Sequence, residues 1–300
     1  MLRQALKING ITMKKRWVAL LGAFMMCWWS VAQAAQPVTR FSVEVSGQGP
    51  DVILIPGLGS GRAVWDGLAA QLQADHRVHR VQLAGFAGEP WAFGDGPFLQ
   101  PVVEDLARYI RQERLNHPAV IGHSMGGLCG LMLAQAYPDD VGRLMTVDTL
   151  PFYSALFGAQ TVEDARPAAE RARQEMLALD DATFSQRQAR VAQGLSLSPF
   201  TQAQIVGWAQ ASDRHALAAA LRETMLTDVR PGLAAMQLPV TALYADAGRP
   251  ADEVDALWAA QYQGLVGLKR VRVRNSYHFI MADQPQVFAE AVQRFLAPAP

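Results

Sequence analysis

The sequence predicts an α/β protein with a mostly parallel sheet and helices on both faces. Strand-like segments alternate with segments of helical spacing along the chain, as expected for this class. Several strand-like segments are apolar almost throughout, which is typical of parallel strands buried on both faces. Half of the 300 residues are hydrophobic and 18% are charged, a globular composition that excludes an intrinsically disordered chain.

Seven segments carry a strand pattern. FSVEVSG alternates apolar and polar residues, whereas DVILIPG is apolar almost to its end. Helical spacing is clearest at 101–115, at 128–137 and from about Asp283 onward. The seven predicted strands cover residues 41–47, 51–57, 76–83, 119–121, 143–148, 239–245 and 268–274.

Residues 151–231 interrupt this alternation. They are rich in Ala, Gln and Arg and lack strand patterns, and Thr161 and Asp213 have the side chains expected at helix N-caps. We therefore predict a helical cap inserted between two strands of the sheet. The core is then formed by residues 35–150 and 232–300.

The first 34 residues have the pattern of a secretory signal peptide. They contain five basic and no acidic residues, an apolar run from Trp17 to Val31, and then Ala32-Gln33-Ala34. The apolar run is shorter than the roughly 20 residues that span a bilayer, and the residues before Cys27 make a poor lipoprotein signal. We expect cleavage, no lasting membrane anchor, and a periplasmic or secreted protein. Met13 is an alternative start, because MKKRWVALL is a compact signal beginning.

The charge balance changes when this segment is removed. The whole chain has 27 basic and 27 acidic residues, so removing the five basic residues of 1–34 leaves 22 against 27, a net charge of −5. Such a protein is a poor partner for nucleic acid or an anionic membrane. Cys129 is then the only thiol, and no Cys/His cluster has zinc spacing.

The segment Gly122-His123-Ser124-Met125-Gly126-Gly127 follows a short apolar strand and opens a helix. G-x-S-x-G in this setting is the nucleophile elbow, a tight turn that presents the serine above the sheet. Gly122 and Gly126 are needed because a β-carbon there would clash with neighbouring backbone. His123 points away from Ser124 in such a turn, so we interpret it as a packing residue.

A serine nucleophile needs a base and an acid that orients the base. His278 follows the last predicted strand, which is the usual place of the base, and the other histidines of residues 35–300 lie in less suitable positions. Asp246, directly after strand 239–245, is the first candidate for the acid. Asp148, at the end of strand 143–148, and Asp252 remain alternatives.

An oxyanion hole requires two aimed N–H groups. Met125, directly after the nucleophile, supplies one, and Leu58 in the glycine-rich loop PGLGSG (56–61) is the best candidate for the other. This loop fits neither G-x-G-x-x-G nor a P-loop. The sequence therefore predicts neither a cofactor nor a metal.

These segments together resemble the serine α/β-hydrolases with a helical cap. The resemblance covers residues 40–297 and rests on PGLGSG (56–61), LAGFAG (83–88), GHSMGG (122–127), PVTALYAD (239–246) and SYHF (276–279). It implies the α/β-hydrolase fold with an eight-stranded sheet, a Ser–acid–His triad and hydrolysis through an acyl-enzyme. Many relatives have G-x-x-D after the strand 239–245, whereas here the fourth position is Gly248.

The leading hypothesis is an exported serine hydrolase that acts on an ester or related small-molecule acyl compound. Acyl transfer on the same triad and a non-catalytic binding protein are the alternatives. Aromatic residues after strand 143–148 are candidates for an acyl pocket, although packing of the cap explains them equally well; they are Phe152, Tyr153 and Phe157. The sequence leaves the oligomeric state open.

Overall fold

The computed structural model describes residues 39–297 of the chain. The predicted signal peptide, residues 1–34, lies outside the described residues. The strands are β1 Phe41–Ser46, β2 Asp51–Ile55, β3 Arg77–Leu83, β4 Ala119–His123, β5 Arg143–Val147, β6 Val240–Ala245 and β7 Lys269–Val273. The α-helices are α1 Asp66–Leu72, α2 Leu99–Gln112, α3 Met125–Ala136, α4 Val162–Ala178, α5 Asp181–Gln193, α6 Pro199–Ala211, α7 Arg214–Leu226, α8 Ala251–Gln261, α9 Ile280–Asp283 and α10 Pro285–Leu296.

All seven predicted strands are present, and they form one sheet in the order β1-β3-β2-β4-β5-β6-β7. β1 is antiparallel to β3 and every other pair is parallel. The expected eight-stranded sheet was wrong for the described residues, which form seven strands. The eighth strand came from the family resemblance alone, and no further segment of the sequence has a strand pattern.

The sheet is buried on both faces, as its apolar strands predict. Along β2, Ile53 and Ile55 pack with α2 and α3 in one hydrophobic core. Val52 and Leu54, which point to the opposite face, pack with α1 and α10 in a second core. Alternate side chains of β2 thus pack in two cores on opposite faces of the sheet.

Four helices, α4 to α7, lie between β5 and β6. Thr161 caps α4 in a capping box with Asp164, and the Asp213 side chain accepts from two N–H groups at the start of α7. These helices pack on loops that follow the strands: a β-carbon on Gly59 would lie 3.1 Å from Leu217, and one on Gly61 would lie 2.9 Å from the Trp208 indole nitrogen. In the described residues, no helix is long and apolar enough to cross a membrane.

Candidate active site

Ser124 stands at the turn between β4 and α3 in a conformation that side-chain-bearing residues rarely adopt. Its φ of 53° and ψ of −122° place it outside the common regions. Hydrogen bonds on both sides of the residue hold this geometry. Its N–H donates to Val147 O at 2.8 Å, and its carbonyl accepts from the Gly127 and Leu128 N–H groups and from Thr149 Oγ1. These hydrogen bonds therefore stabilise the strained backbone conformation of Ser124.

The two glycines of the turn are required by close backbone contacts. A β-carbon on Gly122 would lie 2.3 Å from the Gly126 carbonyl oxygen. A β-carbon on Gly126 would lie 2.4 Å from the carbonyl oxygen of Ile55, at the end of β2. Both contacts are with backbone, which cannot move aside as a flexible side chain would. The sharp turn that exposes Ser124 therefore needs glycine at both positions.

His278 lies in the loop after β7, and its Nδ1 is 2.6 Å from Oδ2 of Asp148. Asp148 follows β5 directly and has a positive φ of 49°. Its other carboxylate oxygen accepts the N–H of Ala245 at 3.0 Å, and its own N–H donates to Leu243 O. The carboxylate is thus held by the neighbouring strand β6 while it faces the imidazole. We infer that His278 carries its proton on Nδ1, which leaves Nε2 free to accept one.

The prediction that Asp246 orients His278 does not hold in this structure, where Asp148 contacts the imidazole instead. The Asp246 carboxylate turns back on its own loop, where its closest partner is the N–H of Gly248 at 3.4 Å. Asp252 is exposed in the first turn of α8. The physical reason is that β5 and β6 both end beside the histidine loop, and the positive φ of Asp148 aims its side chain across the end of β6.

His123 packs against His278. Its ring centroid is 4.5 Å from that of His278, and its Nε2 donates to the His278 carbonyl oxygen at 3.1 Å. Burial, together with the neighbouring His278, holds the pKa of His123 well below its usual range. His123 is therefore a neutral donor that supports the backbone of His278.

Two backbone N–H groups beside Ser124 are available to a ligand. The loop after β2 turns at Gly57, whose carbonyl accepts from Ser60 N, and a β-carbon on Gly57 would lie 3.1 Å from Cβ of Ser124. Within residues 39–297, the N–H groups of Leu58 and Met125 donate to no backbone carbonyl. Met125 is also the first residue of α3, where the helix dipole favours negative charge.

The aromatic residues proposed for an acyl pocket differ in their surroundings. Phe152 is fully buried, with the Arg230 guanidinium 4.6 Å from its ring centroid, which favours a packing role. Tyr153 and Phe157 pack edge to face, and Phe157 is 70% exposed. Among the described residues, no group of three or more His, Cys, Asp or Glu side chains is placed to hold a metal ion.

Sequence reasoning missed Thr149. Its hydroxyl donates to the Ser124 carbonyl at 2.8 Å, and it lies 2.1 Å from where a β-carbon on Gly127 would stand. The only sequence signal was its position two residues after the end of β5. A polar residue at a strand end is too common to identify such a contact.

The seven-stranded sheet, the strained serine turn and the neighbouring acid–histidine pair define a protein of the α/β-hydrolase class. Residues 52–291 match the model of the alpha/beta hydrolase family. This match extends over most of the chain, and the chain belongs to the alpha/beta hydrolase family. The predicted fold class is thereby confirmed.

Two curated relatives are pimeloyl-[acyl-carrier protein] methyl ester esterases. That of Aeromonas salmonicida is 39% identical over 114 residues, which are 38% of this chain and 43% of the relative. That of Vibrio vulnificus is 28% identical over 170 residues, which are 48% of this chain and 64% of the relative. The aligned part thus spans less than two thirds of either relative.

Solved structures share the architecture at low identity. The enol-lactonase from Burkholderia xenovorans has a TM-score of 0.68 and 20% identity, and covers 85% of this chain and 96% of its own. A thermophilic esterase from Thermogutta terrifontis has a TM-score of 0.70 and 21% identity, and covers 85% and 92%. At such identity these matches establish the fold alone.

Proposed function

We propose that the protein is a serine hydrolase that cleaves an ester or related acyl bond through an acyl-enzyme on Ser124. The observation that carries this proposal is the Asp148–His278 pair, 2.6 Å apart, in a site where a strained serine stands beside two available N–H groups. The names of the relatives and structural neighbours, which include methyl ester esterases, an esterase and an enol-lactonase, support an oxygen ester as substrate.

In the proposed mechanism, His278 Nε2 takes the proton of Ser124 as Oγ attacks the acyl carbonyl. Asp148 holds the imidazole in the required tautomer and stabilises the imidazolium that forms. The N–H groups of Leu58 and Met125 stabilise the tetrahedral oxyanion. The imidazolium then protonates the leaving alcohol. In the second half of the reaction, His278 takes a proton from the water that attacks the acyl-enzyme, and returns it to Ser124 Oγ as the acid leaves.

The tests are covalent labelling with a fluorophosphonate and turnover of p-nitrophenyl acetate. We expect wild-type protein to be labelled and active, and Ser124→Ala to lose both properties while keeping its thermal transition. Labelling at full rate in Ser124→Ala would refute the mechanism. A series of p-nitrophenyl esters of increasing acyl length then measures the size of the acyl site.

We also propose that the enzyme is exported and that residues 1–34 are removed. The proposal rests on the basic start, the apolar run and the A-x-A site in the sequence. N-terminal sequencing of protein recovered from the periplasm or the medium tests it, and we expect the mature chain to begin at Ala35. Recovery of an intact chain from the cytoplasm alone would contradict export.

A further inference from the structure

The backbone on both sides of His278 is held from outside its own loop. The N–H of Tyr277 donates to Asp283 Oδ2 at 2.8 Å, and the N–H of Phe279 donates to the Leu195 carbonyl at 2.9 Å. Leu195 belongs to the segment between α5 and α6 in the helical insertion. Since His123 holds the carbonyl of His278 itself, three consecutive residues of the histidine loop are anchored by hydrogen bonds.

Asp283 connects this loop to the same segment of the insertion. Its Oδ1 accepts from Ser196 Oγ at 2.6 Å and from the N–H of Leu197 at 2.9 Å, while Oδ2 holds Tyr277. One carboxylate therefore accepts two hydrogen bonds from the insertion and one from the histidine loop. Hydrogen bonds to a charged acceptor are stronger than those between neutral groups, so this bridge constrains both segments.

Apolar packing reinforces the bridge. The Phe279 side chain is 3% exposed and packs with Ala192 and Ile205, which lie on α5 and α6. The residue that follows His278 is thus bonded to the insertion by its backbone and buried in it by its side chain. A shift of residues 195–198 would be transmitted to His278 through both contacts.

We propose that Asp283 is a positioning residue for His278, and that it acts by tying the histidine loop to residues 195–198 of the helical insertion. The inference rests on the proposed function, in which His278 is the base. It assigns the helical insertion a part in aligning the base against Ser124. Small displacements of a reacting group cost large factors in rate, so the bridge is expected to act on kcat more than on KM.

Asp283→Asn is the central test, because the amide has the shape of the carboxylate but only one acceptor oxygen. Whichever way the amide faces, its NH2 group meets a backbone N–H donor, that of Tyr277 or that of Leu197. We expect kcat for p-nitrophenyl acetate and the rate of fluorophosphonate labelling to fall by about 10- to 100-fold, with KM changed by less than about threefold. We also expect the pH profile of kcat/KM to shift, because the alignment of the base has changed.

Glu223→Gln is the matched control. Glu223 lies on α7 of the insertion, and its carboxylate accepts the N–H groups of Phe98 and Leu99 at the start of α2. It therefore also joins the insertion to the core by hydrogen bonds from backbone, but away from the histidine loop. We expect it to lower the thermal transition without changing the pH profile or the labelling rate.

The outcomes are distinct. If Asp283→Asn and Glu223→Gln lose kcat and labelling rate equally, in proportion to their loss of stability, the positioning role is overturned and only a structural role remains. Wild-type labelling and pH profile in folded Asp283→Asn would also overturn it, while the proposed serine mechanism stood. Full-rate labelling of Ser124→Ala would instead refute the proposed function itself.

Discussion

At the residue scale, the Asp148 carboxylate is oriented before any substrate arrives. One oxygen is held by the N–H of Ala245 and the other faces His278, while the positive φ of Asp148 aims the side chain across the end of β6. Such preorganisation lowers the cost of reaching the reactive geometry. Asp246 lies on the same edge of the sheet, but its side chain is turned to its own loop.

The first prediction separates these two acids. Asp148→Asn should lower kcat by on the order of 10³- to 10⁴-fold, because an amide nitrogen facing Nδ1 favours the wrong imidazole tautomer. Asp246→Asn is the matched control and should stay within about threefold of wild type, since its carboxylate makes only a local contact. Steady-state turnover of p-nitrophenyl acetate measures both. A larger loss in Asp246→Asn than in Asp148→Asn would contradict the assignment.

At the scale of elements, β2, β4 and α3 meet so closely at the serine turn that side chains are excluded. The end of β2 lies against Gly126, and the same strand leads into the loop that carries Leu58. Ser124 and the proposed oxyanion donor are therefore positioned by one packing contact between two elements.

The second prediction tests that contact with two alanine substitutions. Gly126→Ala should destabilise the protein by about 1–3 kcal/mol and abolish most activity, because its β-carbon would overlap the Ile55 carbonyl. Gly207→Ala is the matched control: Gly207 lies inside α6 with no atom within 4 Å of an added β-carbon. It should stabilise by about 0.5–1 kcal/mol. Urea denaturation gives both values, and an unperturbed Gly126→Ala would argue against the tight turn.

At the scale of the whole molecule, two buried histidines link stability to pH. His79 is 2% exposed, with Nε2 2.9 Å from Asp51 and Nδ1 2.7 Å from the Tyr109 hydroxyl. Burial lowers the pKa of His79 despite the nearby Asp51, and burial lowers the pKa of His123 further. Both pKa values therefore lie below the value of about 6.5 that the same side chains have in the unfolded chain.

The third prediction follows from that difference. The unfolded state binds more protons below about pH 6.5, so stability is complete above this pH and falls as the pH is lowered. Each histidine that stays neutral contributes a slope approaching about 1.4 kcal/mol per pH unit. Urea midpoints between pH 7.5 and 5.5 measure it, and His79→Gln should make the slope smaller. Stability that does not change over this range would contradict the lowered pKa values of the two histidines.

Local patterns are sufficient to predict the strand and helix order, the serine turn and the histidine after β7, because these features depend on strand periodicity, glycine spacing and position in the chain. Three other features depend on contacts between segments that are distant in the chain: Asp148 faces His278, Thr149 supports Ser124, and Asp283 joins the histidine loop to the insertion. Several strands end at the same edge of a parallel sheet, so chain order alone brings both Asp148 and Asp246 to the edge where His278 lies. The positive φ of Asp148 and its contacts with β6 and the histidine loop determine that this carboxylate, and not that of Asp246, faces His278.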